Sequence, residues 1–373
     1  MTILYVTDAF AVWGGMERVL ADKMNYLAEQ HGYNIYLLTT NQGDHPLTFD
    51  LHPNVIHIDL KIRMHQQYLY QGISRIYKRI KLMQILKMRL GDAFREIMPD
   101  VIVCLKLDFV NVILKQKGKI PLVFESHTLC KSEKFDRVGK LRRIYVWFLK
   151  RRIKKVEAVV ALTQGDAMDW RFINDNVHII PNVVHLNTGG SFASCNQKSV
   201  IFVGRFSQQK DIESLLQIWF LVHQKHEDWF LDIYGDGELK NSFLPVISSM
   251  NANVRVHDPT ADIMDKYKNS SVLVLTSLYE PFGLVLPEAM SCGLPVVAFD
   301  CPYGPVDIIT DGVDGFLIRN RNVEAFANKV CQLIENVHLR IKMGQAGIKS
   351  SKRYDFNRIM PLWSNILINF NNN

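Results

Sequence analysis

Along the chain, short runs of consecutive apolar and β-branched residues alternate with longer stretches whose apolar positions recur every three or four. In the first half the short runs are 2–7, 34–39, 54–59, 101–105, 122–125, 158–162 and 177–180. Runs this apolar suit strands buried on both faces, the situation inside a parallel sheet. The stretches 16–30 and 75–90 carry helical spacing, so residues 1–185 predict a parallel sheet with helices on its faces.

After Pro181 the alternation lapses, and 186–198 (LNTGGSFASCNQK) is rich in small and turn-forming residues, the composition of a linker. It restarts with runs at 200–203, 230–234, 253–256, 272–275, 295–299 and 315–318, with helices beginning near Asp211, Gly237, Thr260, Leu284 and Asn322. Residues 199–354 therefore predict a second domain of the same kind, and 355–373 a closing helix that could pack on either one. The fold class is α/β, with two Rossmann-like doubly wound domains. Open α/β sheets bind ligands at the C-terminal edges of their strands, so a cleft faced by both sheets is the expected site.

Composition narrows the function. The chain has 373 residues, and its six cysteines lack any CxxC or metal-ligand spacing, which fits buried, reduced thiols. The start MTILYVTDAF has no basic region followed by a long apolar one, and no apolar run is long enough to span a membrane, so a cytoplasmic protein is expected. Charge is unevenly placed. Residues 1–185 hold 27 Lys and Arg against 18 Asp and Glu, while 186–373 hold 17 against 19. The basic first half is expected to meet something anionic.

The segment 279–295 reads YEPFGLVLPEAMSCGLP. It follows the 272–275 strand, and its Pro-Phe-Gly turn opens into a helix whose first amides lack intrahelical partners. Backbone amides of Gly283, Leu284 and Val285 make an anion site there, and Gly283 permits close approach. Glu280 precedes the helix and Glu288 lies about one turn inside it, so the two carboxylates can grip different hydroxyls. Read singly, each acid is a solvated helix position or a dipole-favoured leader.

The whole segment, continuing through 304–309 (GPVDII) and 311–316 (DGVDGF), resembles the E-x7-E region of family-4 retaining glycosyltransferases with the GT-B fold. The stretch 202–211 (FVGRFSQQKD) resembles that family's G-R-x4-K loop, and 234–237 (YGDG) its Y-G-x-G turn, which a structural role suffices to explain. In the first half, 13–18 (WGGMER) resembles the family's glycine loop, with Gly14 and Gly15 open to either a turn role or a donor contact. It is not GxGxxG, which disfavours a dinucleotide. His127, after the 122–125 strand, matches a family histidine near the donor sugar.

The resemblance implies a retaining transferase that moves a hexose or N-acetylhexosamine from a nucleoside diphosphate sugar, UDP above all, to a saccharide, lipid-linked acceptor in surface polysaccharide biosynthesis. Arg205 and Lys210 would neutralise the departing diphosphate without a metal or other cofactor, Glu280 and His127 would act at the sugar, and Glu288 would hold the ribose. Two alternatives stand beside it, a GT-B-type nucleotide-sugar epimerase and a non-catalytic nucleotide-sugar-binding partner.

Residues 140–155 (KLRRIYVWFLKRRIKK) carry eight cations among apolar and aromatic residues. Such a helix suits an anionic membrane surface, with peripheral attachment at the cytoplasmic face, or else a domain helix with its stripe in the core and its charges in water. No nucleic-acid-binding motif accompanies the charge.

Overall fold

A computed structural model of the chain describes residues 1–132, 139–187 and 189–371. It divides into two compact units, 1–183 with 357–373, and 184–356.

In the first unit the strands are β1 (Thr2–Thr7), β2 (Asn34–Thr39), β3 (Val55–Asp59), β4 (Val101–Cys104), β5 (Leu122–Ser126), β6 (Ala158–Ala161) and β7 (Val177–Ile179). They pair in parallel in the order β3-β2-β1-β4-β5-β6-β7. The helices between them are α1 (Gly15–His31), α2 (Gly72–Ile97), α3 (Leu107–Ile113), α4 (Lys140–Ile153) and α5 (Gln164–Arg171). β4 and β6 are buried at every position, as their unbroken Val, Ile and Ala runs require of strands covered on both faces. One core cluster joins Leu4, Ile102 and Phe124 of the sheet to Leu86, Leu90 and Phe94 of α2.

The second unit repeats the plan with β8 (Ser199–Val203), β9 (Phe230–Tyr234), β10 (Val254–His257), β11 (Val272–Leu275), β12 (Val296–Phe299) and β13 (Gly315–Ile318). Their order is β10-β9-β8-β11-β12-β13, again all parallel. Its helices are α6 (Ile212–His223), α7 (Lys240–Ser249), α8 (Ile263–Lys268), α9 (Val285–Ser291), α10 (Gly304–Ile308), α11 (Val323–Glu335) and α12 (Val337–Ser351). Asn322 and Asn336 cap α11 and α12 by accepting from Ala325 N and Leu339 N at 2.7 and 2.9 Å, the side-chain capping that starts a helix where its first amides lack carbonyls.

The closing helix, α13 (Phe356–Asn371), belongs to the first unit from residue 357. Ile359, Met360, Trp363, Ile366 and Leu367 bury its apolar row, and Ser364 Oγ lies 3.0 Å from His31 Nε2 of α1. The last two positions of the expected 355–373 segment lie outside the described residues. So does position 188 of the stretch read as a linker. The rest of that stretch is attached to the second unit: Asn187 N donates to Ser291 Oγ at 3.0 Å, Ala193 N donates to Cys292 O at 2.8 Å, and the buried Arg340 guanidinium holds Cys195 O.

Candidate active site

In each sheet the chain builds outward from one strand and then reverses, and the reversal leaves two adjacent strand ends whose loops diverge. In the second unit these are the ends of β8 and β11. The loop after β8 carries Arg205 and Lys210, and the loop after β11 carries Glu280. The expected cations and the expected acid therefore share one switch point.

Backbone bonds lace these loops together. Gly204 N donates to Tyr234 O at 3.1 Å and Phe206 N to Asp236 O at 2.9 Å. A Cβ on Gly235 would lie 1.9 Å from Gly204 O, so the Tyr-Gly turn after β9 is glycine for packing reasons. Leu278 N donates to Gln209 O at 2.8 Å, and Thr276 Oγ1 to Lys210 O at 2.9 Å. Arg321, beyond β13, donates to Ser277 O and Thr276 O at 2.8 and 2.9 Å and pairs with Asp211. That tie was not evident in the sequence. It leaves Lys210 little freedom, whereas Arg205 is exposed.

Glu280 is only 4% exposed. Its Oε1 accepts from Ser277 Oγ at 2.7 Å and pairs with the Lys210 ammonium. Its backbone carbonyl accepts from Tyr303 N and Gly304 N at 2.8 and 2.9 Å. Glu288 is 3% exposed, and its Oε2 accepts from Tyr267 OH at 3.2 Å. Neither acid is a solvated helix position, and a buried carboxylate is retained only where partners hold it. Gly283 has φ +92°, a conformation that carries a large cost for other residues. Leu286 N reaches back to Gly283 O at 3.0 Å. The amides of Gly283, Leu284 and Val285, at and just before the start of α9, have no carbonyl partner among the described residues.

The other candidates lie on the first unit. Gly14 caps α1 just after β1, and Gly15 begins that helix. The φ of Gly14 is −128°, open to any residue, and a Cβ there would meet only the movable end of Glu17. Turn geometry therefore does not require glycine at position 14. His127 follows β5. Its Nε2 is buried and lies 3.0 Å from Glu125 Oε1, close but without hydrogen-bond alignment.

Behind His127 is a buried pair that sequence reasoning missed. Lys23 Nζ from α1 donates to both carboxylate oxygens of Glu125, the bond to Oε1 being 2.6 Å, with both side chains 1% exposed. Burial alone would push Glu125 up. The Lys23 charge and the His127 ring overcome burial and hold the carboxyl at about 2. Burial lowers Lys23, and Glu125 opposes that. The ammonium sits 3.9 Å over the Trp363 ring of α13 and 5.3 Å from the Tyr5 ring. A lysine in the buried phase of α1 was the available signal, since that position ordinarily holds an apolar residue.

Helix α4 covers most of 140–155. Only Leu149 and Ile153 of it are buried; Tyr145 and Val146 are half-buried, and Leu141, Ile144, Trp147 and Phe148 are exposed. All six cysteines are buried, and no disulfide joins them among the described residues. Among those residues, too, no group of three or more His, Cys, Asp or Glu is placed to hold a metal ion, and no helix is long and apolar enough to cross a membrane.

Comparison with known proteins gives a consistent result for both units. Residues 13–188 match the model described as Glycosyltransferase Family 4, and 191–350 the model described as Glycosyl transferases group 1. The amylovoran biosynthesis glycosyltransferase AmsD of Erwinia amylovora is 28% identical over 379 residues, spanning 98% of this chain and 99% of that one. A poly(ribitol-phosphate) alpha-N-acetylglucosaminyltransferase of Staphylococcus aureus is 30% identical over 261 residues, 69% of this chain and 52% of its own length. Among solved structures, S. aureus TarM in complex with fondaparinux, alpha-GlcNAc-glycerol and UDP superposes with a TM-score of 0.78 at 18% identity, covering 98% of this chain and 99% of that one. At that identity the likeness concerns the fold.

Proposed function

Because the chain belongs to the GT-B glycosyltransferases, we propose that it moves a hexose or N-acetylhexosamine from a UDP-linked donor to a saccharide acceptor during surface polysaccharide assembly. The observation that carries the reading is the Lys210–Glu280 pair at the β8/β11 switch point, with Arg205 on the same loop. Support for the donor class comes from TarM, solved with UDP. Support for the pathway comes from AmsD, named for amylovoran biosynthesis.

Breaking a glycosyl–phosphate bond leaves negative charge on the diphosphate, and groups already aimed at that charge lower the barrier most. Lys210 has three donors, so it can keep Glu280 while turning another toward a phosphate. Arg205 offers its fork from the exposed side of the loop, and the amides of Gly283, Leu284 and Val285 add their dipoles. Glu280, steadied by Ser277 and Lys210, orients donor hydroxyls. Glu288 has Tyr267 on one oxygen and takes the ribose with the other. On the first unit, Gly14, Gly15 and His127 remain the residues that the resemblance assigns to donor and sugar contact. The acceptor attacks from the face that the leaving phosphate vacates, its proton passing to that phosphate, so configuration is retained and no metal is needed. The acceptor is a lipid-linked saccharide met at the cytoplasmic side of a membrane.

The test is turnover of nucleotide sugars with and without a saccharide acceptor, in the native chain and in Lys210→Ala. Acceptor-dependent transfer that falls by about 100-fold or more in the variant, with folding intact, is expected from loss of a transition-state cation. Wild-type transfer rates in Lys210→Ala would remove the diphosphate role. Donor isomerisation without acceptor would replace transfer by epimerisation.

A further inference from the structure

The first ten residues of α2 pack against little. Ile73, Ile76, Tyr77 and Ile80 recur at i, i+3, i+4 and i+7 and are 85, 59, 70 and 53% exposed. They form an apolar stripe, yet not the one that enters the core, which begins at Leu82 and continues through Leu86 and Leu90. Helix α4 repeats the arrangement: Leu141, Ile144 and Phe148 make an outward row away from buried Leu149 and Ile153. An amphipathic helix normally spends its apolar stripe on the protein interior. Here two helices bury one row and expose another.

The two outward rows belong to one face. The Arg79 guanidinium of α2 lies 4.6 Å over the Tyr145 ring of α4, and Arg142 lies 5.4 Å over the same ring. The turn at Met64–Leu69 adds exposed Tyr68 and Leu69, with Arg75 4.5 Å over Tyr68. Arg151 sits 4.6 Å over exposed Trp147. Residues 60–91 contain eight Lys and Arg and no Asp or Glu, and 140–156 contain another eight and no acid. The sequence pointed to 140–155 for this role, with Arg75, Lys78, Arg79 and Lys81 leaning the same way; the structure adds the outward apolar row of α2 and joins the two helices through Tyr145.

We propose that this two-helix face docks on an anionic lipid bilayer, with Ile73, Ile76, Leu141, Ile144 and Phe148 entering the headgroup–acyl boundary and the surrounding cations meeting lipid phosphates. The pairing of apolar rows with charge of one sign is what an interfacial surface requires. A soluble polyanion would use the cations and leave the apolar rows in water. The proposal rests on the glycosyltransferase reading only for its purpose, which is to bring the enzyme to a lipid-linked acceptor; the docking itself needs no turnover.

The experiment is co-sedimentation of the full chain with vesicles of phosphatidylcholine alone and of phosphatidylcholine with about a third phosphatidylglycerol, at low and high salt. Partition into the anionic vesicles is expected to be at least about tenfold stronger and to weaken with salt. Two variant sets separate the contributions: Arg75→Gln with Lys81→Gln, Arg143→Gln and Arg152→Gln, and Ile73→Ser with Ile76→Ser and Leu141→Ser. Either set should cut anionic partition about tenfold or more, while donor turnover with a soluble acceptor stays unchanged and reports folding. Equal partition into neutral and anionic vesicles, or none, overturns the proposal. So does loss of self-association in either set by light scattering, which would make the face an interface between copies. Undiminished binding of a soluble polyanion by the serine set, without vesicle binding, would assign the face to a polymer. Vesicle binding without sugar transfer would instead overturn the enzymatic reading and leave the docking standing.

Discussion

Replacing Glu125 by Gln would strand the Lys23 ammonium inside the first unit, 1% exposed and without its countercharge. Removing one partner of a buried ion pair typically costs about 3–5 kcal/mol, because the surviving charge has given up water and has nothing to replace it. The depressed Glu125 carboxyl gives the same order of magnitude. Glu125 is held at about 2 against an ordinary 4.5, and at 1.36 kcal/mol per unit that depression corresponds to roughly 3 kcal/mol. The sign follows from the depression. The contribution is complete above the ordinary carboxyl range and is lost as pH falls from about 4.5 toward about 2. Burial lowers Lys23 at the same time, which offsets part of the gain, so the net value of the pair is smaller than the cost of breaking it.

Three variants test this, Glu125→Gln, Lys23→Met and the pair Lys23→Met/Glu125→Gln. Each single change should destabilise the first unit by about 3–5 kcal/mol, and the double should cost clearly less than their sum, since it removes both buried charges at once. Native-state hydrogen exchange read by mass spectrometry suits a two-unit chain, because peptides from β5 and α1 report the first unit while peptides from β11 act as an internal control. Strict additivity of the two single changes would refute the coupling. A Glu125→Gln penalty that does not shrink below pH 4.5 would refute the assignment of the depressed carboxyl to this residue.

Three further outcomes follow from the same geometry. Gly283→Ala, at φ +92°, should cost about 1–2 kcal/mol of second-unit stability in urea melts and weaken donor binding in calorimetry. Trp363→Ala should cost about 3–5 kcal/mol by loss of buried volume and should also slow sugar transfer, since the ring covers the ammonium that holds Glu125 beside His127; rescue of transfer by Trp363→Phe at partial stability would separate the two effects. Asp232 is buried, which would raise it, but Arg255, Ser199 and His257 hold it below its ordinary 3.8. Its contribution is therefore complete above that range and lost as pH falls through it, and the acid limb of a second-unit melting series should flatten in Asp232→Asn.

Much of the architecture was legible because it is written in local pattern. Thirteen apolar runs became thirteen strands among the described residues, with ends shifted by a residue or so, as at 54–59 against β3 or 295–299 against β12. Burial on both faces leaves a strand little choice but Val, Ile, Leu and Ala, so each run announces itself. Attachment of the connecting segments was less legible. Residues 186–198 have a linker's composition, yet Arg340, far along the chain, bonds Cys195 O. Composition records what a segment can do alone and is silent about a guanidinium that arrives later. The same holds for α13, whose row of Ile359, Trp363 and Ile366 announced a helix with one apolar face without saying which unit it would cover.

The candidate site divides along a similar line. The family resemblance singled out Arg205, Lys210, Glu280 and Glu288; the first three lie on loops after strand ends, which the hydrophobic pattern marks best, and Glu288 lies within α9. The resemblance could not supply the pairing. Lys210 and Glu280 are 70 positions apart, and only the β8–β11 adjacency brings the ammonium onto the carboxylate. That contact changes the chemistry expected of both. Lys210 is fixed in direction by Glu280 before any phosphate arrives, and Glu280 is nearly excluded from water. On the proposed reading, a diphosphate entering beside them takes a second donor of the Lys210 ammonium while the first stays on Glu280. On that reading the phosphate contact and the orientation of Glu280 run through a single ammonium, a dependence that two motifs read separately along the chain do not contain.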